Sequence, residues 1–113
     1  MSGLSTHVLD TSRGRPAAGL AVVLERREGE GWRELSRALT DADGRVAALL
    51  PADTPLAAGE YRLTFAIGPW LAAAGREGFY PEAAVTFSVR DPAQHHHVPL
   101  LLSPYGYSTY RGS

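Results

Sequence analysis

Short stretches in which apolar and polar residues alternate constrain the fold of this chain more than any other feature of its sequence. The clearest covers residues 61–67, where Tyr, Leu, Phe and Ile occupy every second position and Arg, Thr and Ala lie between them. Successive side chains of a strand point to opposite faces, so this pattern predicts a β-strand with one buried and one solvated face. Similar patterns predict strands over residues 4–10, 20–26, 32–39, 84–89 and 95–102.

Turn residues separate these stretches at regular intervals. Gly and Pro punctuate residues 14–16, a Glu-Gly-Glu-Gly run covers 28–31, and an Asp-Gly pair lies at 43–44. Residues 68–75 differ, because a proline near the start, an Ala-rich interior and a final glycine predict one short helix. The sequence therefore predicts one all-β domain over residues 1–113, an antiparallel β-sandwich of seven to eight strands with one short helix.

Composition limits the classes of partner and chemistry. The formal charge is −1 and the pI about 6.4, so we expect neither nucleic acid nor a membrane as partner. The chain has no cysteine, which excludes disulfides, thiol nucleophiles and thiolate metal sites. The first residues lack the basic and apolar regions of a secretory signal, and no apolar run is long enough to span a bilayer. We therefore expect a cytoplasmic protein.

Three of the four histidines lie at residues 95–97, immediately before a C-terminal tail rich in Tyr. The aliphatic residues at alternate positions of 98–102 must face the core, so the same alternation turns His95 and His97 outward. The same rule places His7 on the outer face of the first strand. Imidazole titrates near pH 6.5, so an outward pair of histidines is suited to taking and returning a proton.

Other interpretations of these residues stay open. An outward histidine on a strand is often a solvated residue, and His95 and His97 with His7 would also make a zinc site. Arg45 is either a solvated turn residue or, beside a histidine site, a clamp on an anionic or carbonyl oxygen. The sequence has no Gly-x-Ser-x-Gly elbow, phosphate-binding loop or dinucleotide fingerprint, so acyl-enzyme chemistry and nucleotide binding lack support.

Four segments, spread along nearly the whole chain, carry a family resemblance. They are residues 4–17, the Asp-Gly-Arg turn at 43–45, the Gly-Phe-Tyr-Pro-Glu run at 78–82 and the tail from 97 to 113. These segments resemble the 5-hydroxyisourate hydrolases, transthyretin-related enzymes of urate degradation. The terminal Tyr-Arg-Gly-Ser is the most specific motif, since it separates the hydrolases from transthyretin, the hormone carrier of the same fold. His96 departs from the tyrosine common in the family, and we expect it to face the core and affect packing.

The resemblance implies a transthyretin-like sandwich that assembles as a homotetramer, a dimer of dimers with active sites in the channel at the dimer–dimer interface. It implies hydrolytic opening of the ring of a purine-derived small molecule, 5-hydroxyisourate, to 2-oxo-4-hydroxy-4-carboxy-5-ureidoimidazoline. No metal or organic cofactor is expected. The alternative is a non-catalytic transthyretin-like module that binds a hydrophobic small ligand.

Specific residues match the family's functional positions. The resemblance implies that His7, Arg45 and His97 are catalytic, and that the tail binds substrate through Tyr110, Arg111, Gly112 and Ser113. One histidine, with His97 slightly preferred, would orient or deprotonate the attacking water while the other relays the proton toward the leaving ring nitrogen. Arg45 would stabilise charge on the carbonyl oxygen or hold an anionic substrate.

Overall fold

Ten strands and one helix form the fold within residues 3–112, the part of the chain that the computed structural model describes. In chain order they are β1 (Leu4–Asp10), β2 (Arg15–Pro16), β3 (Ala21–Glu28), β4 (Gly31–Leu39), β5 (Arg45–Val46), β6 (Gly59–Phe65), α1 (Ile67–Ala73), β7 (Ala83–Val89), β8 (His96–His97), β9 (Leu100–Ser103) and β10 (Gly106–Thr109). One sheet has the order β4-β3-β6-β7, and the other has β10-β9-β1-β2 with β5 and β8 also paired to β1. The predicted all-β class with one short helix is confirmed, and the strand count exceeds seven to eight because three strands have only two residues.

Alternation along the strands builds the core between the two sheets. In β6 the side chains of Tyr61, Leu63 and Phe65 are at most 1% exposed, and in β1 Leu4 and Val8 are fully buried. Burial of each such large apolar side chain stabilises the fold by about 1.5–3 kcal/mol. The inward faces of β1 and β6 thus hold the two sheets together and leave the opposite faces for solvent.

The helix begins earlier than the sequence pattern indicated. Ile67 was predicted to end a strand but is instead the first residue of α1, and it is buried together with Leu71 one turn later. Gly75 ends the helix with φ of 70°, donating its N–H to Ala72 O while Arg76 N–H donates to Leu71 O. This glycine-dependent ending is the one that the sequence predicted. No helix within residues 3–112 has the length and apolarity needed to cross a membrane.

The pairing of β1 differs from the expected antiparallel arrangement. β8 and β9 run parallel to β1 and keep one register with it, pairing Ser5 with His97 and Val8 with Leu100. Between them lies Pro99, which has no N–H to donate to a ladder, so the strand predicted over 95–102 is divided in two. The first strand of the chain therefore lies at the centre of its sheet.

A buried ion pair fixes the end of β1. Arg76 Nη1 lies 2.6 Å from Asp10 Oδ2, and Ser12 Oγ donates to Asp10 Oδ1 at 2.7 Å. Burial alone would raise the pKa of Asp10, but hydrogen bonds from Arg76 and Ser12 and the charge of Arg76 hold that pKa below its ordinary value. The strand that carries the candidate site is thus anchored to the segment after α1.

Candidate active site

The outer face of β1 brings three of the predicted residues together. Within β1, Ser5 and His7 lie on this face, where Ser5 is paired with His97 of β8 and His7 with Arg45 of β5. β8 and β5 flank β1, so residues from three distant parts of the chain meet on one sheet face. His7 and His97 are partly exposed and Arg45 is exposed, so the face is open to solvent in the single chain.

The turn before β5 holds Arg45 in place. Asp41 Oδ1 accepts hydrogen bonds from the N–H groups of Asp43 and Arg45, each at 2.9 Å. Gly44 has φ of 76°, and its carbonyl accepts the Val8 N–H at 2.7 Å. A Cβ at Gly44 would collide with the Val8 carbonyl oxygen. Only glycine therefore allows this turn to lie so closely against β1.

The same turn orients His7. His7 Nε2 lies 2.9 Å from the carbonyl oxygen of Asp43. A carbonyl oxygen only accepts hydrogen bonds, so Nε2 must carry the proton. When His7 is neutral, its free lone pair is therefore on Nδ1.

His97 is held by a serine that the sequence analysis did not single out. Ser5 Oγ lies 2.8 Å from His97 Nδ1 and also 2.8 Å from His95 Nε2. Ser5 is only 9% exposed, whereas His95 is exposed. Alternation on β1 had placed Ser5 on the same face as His7, and that parity was the one signal for its role.

The environment of His97 favours its neutral form. Partial burial, the positive charge of Arg45 and electrostatic interactions with His7 and His95 lower the pKa of His97 below its ordinary value of 6.5. A neutral imidazole can accept a proton, so the electrostatics suit a general base.

The C-terminal tail returns to this face. Gly112 pairs with His97, and its N–H donates to the His97 carbonyl oxygen at 2.8 Å. A Cβ at Gly112 would lie 2.6 Å from His97 Cδ2, so the missing side chain leaves room for the imidazole. Tyr110 is 57% exposed. Ser113, the last of the predicted substrate-binding residues, lies outside the described residues.

Arg111 and His96 belong to a different part of the molecule. Arg111 Nη2 donates to Gln94 Oε1 at 3.1 Å, and both residues line a cavity of about 300 Å³ together with His96. His96 is 5% exposed and donates from Nδ1 to the Gln94 carbonyl oxygen at 2.9 Å. The inward orientation predicted for His96 is thus confirmed. The Arg111 guanidinium is hydrogen-bonded to Gln94, in the loop before β8.

The zinc interpretation can be compared with the same geometry. Within residues 3–112 no three side chains of the ligand types His, Cys, Asp and Glu are grouped as a metal site would require. One ring nitrogen of His95 and one of His97 each lie 2.8 Å from Ser5 Oγ.

Known proteins resemble this chain in sequence and in fold. The sequence model of the HIUase/Transthyretin family matches residues 4–112. The 5-hydroxyisourate hydrolase of Caulobacter vibrioides is 52% identical over 117 residues, covering 100% of both chains. That of Salmonella typhimurium is 47% identical over 110 residues, covering 97% of this chain and 80% of the relative.

Solved structures of the same two kinds of protein resemble this chain in fold. The Klebsiella pneumoniae 5-hydroxyisourate hydrolase superposes with a TM-score of 0.86 at 46% identity, covering 100% of this chain and 94% of the other. Sea bream transthyretin, solved in complex with thyroxine, superposes with a TM-score of 0.88 at 29% identity, covering 97% and 94%.

Proposed function

This chain belongs to the HIUase/Transthyretin family and hydrolyses 5-hydroxyisourate, and from that premise we propose that the reaction takes place on the outer face of β1. The observation that carries the proposal is the register of β1, which pairs His7 with Arg45 and sets His97 beside Ser5 on the same face. Two groups that can transfer protons and one cation suit the hydrolysis of a cyclic amide.

In the proposed reaction, a water oxygen bonds to a ring carbonyl carbon and the ring C–N bond breaks. His97 takes the proton from the water as the attack proceeds. Its lowered pKa supports this role, because the imidazole is then neutral at neutral pH and free to accept.

His7 has the complementary role. The leaving ring nitrogen needs a proton, and His7 relays to it the proton that His97 took from the water, so both imidazoles end the cycle neutral. Since Nε2–H of His7 is donated to Asp43, the nitrogen that exchanges the proton is Nδ1. The rigid Asp41–Arg45 turn keeps that ring orientation throughout the cycle.

Arg45 stabilises the negative charge that develops on the carbonyl oxygen. Its planar guanidinium is always charged and offers several N–H donors to oxygen-rich planar molecules. The backbone on either side is fixed by pairing with His7 and by Asp41, so the side chain starts from a fixed base.

The tail completes the binding site. We assign substrate contacts to Tyr110 and Ser113, with Gly112 giving the imidazole of His97 its space. Arg111 fastens the tail through its hydrogen bond to Gln94. A direct contact between Arg111 and the substrate remains a prediction. An extension after Ser113 should therefore impair turnover while the protein stays folded, as circular dichroism would report.

We also propose that the enzyme is a homotetramer with its sites at the dimer–dimer interface. Leu9 and Leu101 are paired neighbours on the same outer face as the candidate site, and both remain partly exposed in the single chain. A second copy stacked on this face would cover these leucines and exclude water from the site. Light scattering coupled to gel filtration should give four times the mass of the chain, and a monomer or dimer of full activity would contradict this assembly.

The experiment that tests the proposed site uses urate and urate oxidase, which generate the substrate in place. Adding the protein should speed the decay of the transient ultraviolet absorbance, and His97→Ala should abolish the acceleration. Full activity of a folded His97→Ala protein would overturn the assignment. The cytoplasmic location stays a prediction that cell fractionation can test.

Two alternatives would give different results. Binding of a hydrophobic ligand without turnover would favour a transthyretin-like binding module. Loss of activity on treatment with a chelator, restored by zinc, would favour a metal site on His7, His95 and His97. We expect turnover that is unaffected by the chelator.

A further inference from the structure

Two imidazoles share one nearly buried hydroxyl beside the candidate site. Ser5 Oγ is 2.8 Å from His97 Nδ1 and 2.8 Å from His95 Nε2. A serine hydroxyl has one proton to donate and two lone pairs that accept. When both histidines are neutral, the hydroxyl that bonds to both therefore donates to one ring and accepts from the other.

The two possible arrangements have opposite consequences for His97. If Ser5 donates to His97, then Nδ1 carries the lone pair and Nε2 carries the proton, so His97 has no lone pair free to act as a base. If Ser5 donates to His95, it accepts the proton of His97 Nδ1, and the lone pair of His97 is on Nε2.

We propose that Ser5 is a positioning residue that donates to His95 and accepts from His97, and so fixes His97 as the tautomer whose Nε2 can deprotonate water. This inference rests on the proposed function, because it takes His97 as the base. Ser5 does not touch the reacting atoms and acts only through His97.

Several features of the structure support this role for Ser5. Pairing with His97 across the strands places the two residues side by side, and the N–H of Val98, the residue after His97, donates to Ser5 O at 3.0 Å. The hydroxyl is nearly buried, so water competes weakly for these bonds. The charged and titratable groups near His97 are Arg45 on β5, His7 on β1 and His95 on its own segment.

The same arrangement supports the charged form during the reaction. After Nε2 accepts a proton, Nδ1–H still donates to Ser5 Oγ, and a hydrogen bond from an imidazolium is stronger than one from a neutral ring. Ser5 thus stabilises the product of proton transfer without itself gaining or losing a proton.

The decisive experiment is ¹⁵N NMR of the labelled protein without substrate, at a pH where His97 is neutral. We expect His97 to be protonated on Nδ1 in the unaltered protein. In Ser5→Ala the ¹⁵N signals should move toward those of the Nε2–H tautomer, which dominates in free histidine, and Ser5→Thr, which keeps the hydroxyl, should retain the original tautomer. Ser36→Ala, which removes a serine hydroxyl from the other sheet, should leave the tautomer of His97 unchanged.

A second variant keeps the test decisive if Ser5→Ala does not fold. His95 is exposed, so His95→Ala should fold, and without that acceptor Ser5 is free to turn its proton toward His97. The His97 tautomer should then shift part of the way. An Nε2–H tautomer in the unaltered protein, or an unchanged tautomer in both Ser5→Ala and His95→Ala, would overturn the inference.

Kinetics separate this inference from the proposed function. Ser5→Ala should lower kcat about tenfold with little change in KM, since orientation of a general base contributes to the chemical step. Absence of hydrolysis in the unaltered protein would contradict the proposed function, whereas the NMR result would still decide the role of Ser5 in holding His97.

Discussion

The outer faces of the two sheets differ in how they arrange their charges. On the outer face of the four-stranded sheet each of three arginines is paired with a glutamate, and two of them also lie over the Trp32 ring. The pairs are Arg27–Glu60, Arg37–Glu34 and Arg62–Glu25. On the six-stranded sheet Arg45 lies beside His7 and His97, and within residues 3–112 no ion pair includes Arg45.

The difference shows how one β-sandwich can have one surface that serves solubility and another that serves chemistry. Paired surface charges nearly cancel, contribute little to stability and leave no strong field. Positive groups without a paired carboxylate instead lower the pKa of their neighbour and attract electron-rich oxygens. The charge pattern, as much as the residue types, distinguishes the proposed catalytic face.

The largest effect should come from Arg45→Gln, which removes the positive charge but keeps a polar side chain. We expect kcat/KM to fall about 10²–10³-fold, the usual loss when one group that stabilises a developing oxyanion is removed. The coupled urate oxidase assay measures it. Arg37→Gln on the other sheet is the matched control and should retain full activity, so equal losses in both variants would erase the contrast between the faces.

Gly112→Ala should have the next largest effect. The added Cβ would lie 2.6 Å from His97 Cδ2 and displace the imidazole, and a misplacement of about 1 Å can cost about 10²-fold in rate. Gly31→Ala on β4 is the control, because its added Cβ meets no atom closer than 3.9 Å. Normal kinetics of Gly112→Ala would show that the tail does not constrain His97.

A smaller effect concerns the pH dependence. The pKa of His97 is lowered by burial and then by Arg45, His7 and His95, so activity should persist below pH 6.5 until His97 becomes protonated. Arg45→Gln removes the positive charge of Arg45, so the pKa of His97 should rise. The acid limb of the pH–activity profile should then move to higher pH. NMR titration of the His97 ring reports this without turnover, and a downward shift would contradict the assigned cause.

The smallest effect should come from breaking one exposed pair on the other sheet. Glu60→Gln leaves Arg27 without its partner, but both side chains are about half exposed, at 49% and 47%. We expect the free energy of unfolding in urea to change by less than about 1 kcal/mol, with activity unaffected. A larger loss would mean that the ion pairs of this face are structural.

Local patterns in the sequence predicted what depends on neighbouring residues. Alternation turned His7 and His97 outward, and Asp-Gly before Arg45 predicted the turn that presents it. Alternation says nothing about which strands are neighbours, so the parallel pairing that sets Ser5 beside His97 was not predictable from it.

Short-range sequence patterns also failed to predict the structure where tertiary contacts determine it. Ile67 fits the strand period, yet it begins α1 because the helix buries it together with Leu71. Arg111 belongs to a recognisable tail motif, but the motif does not reveal its bond to Gln94.

The central position of β1 also has a consequence for biosynthesis. Ser5 and His97 are 92 residues apart in sequence, and Gly112 follows later still. A ribosome that has released only the first half of the chain has supplied His7 and Arg45 but none of the strands β8 to β10. Such distant pairing is slow to form because the entropy of closing the intervening loop must be overcome first. The proposed site is therefore complete only once the chain has been synthesised as far as Gly112, and a chain truncated before β8 lacks His97.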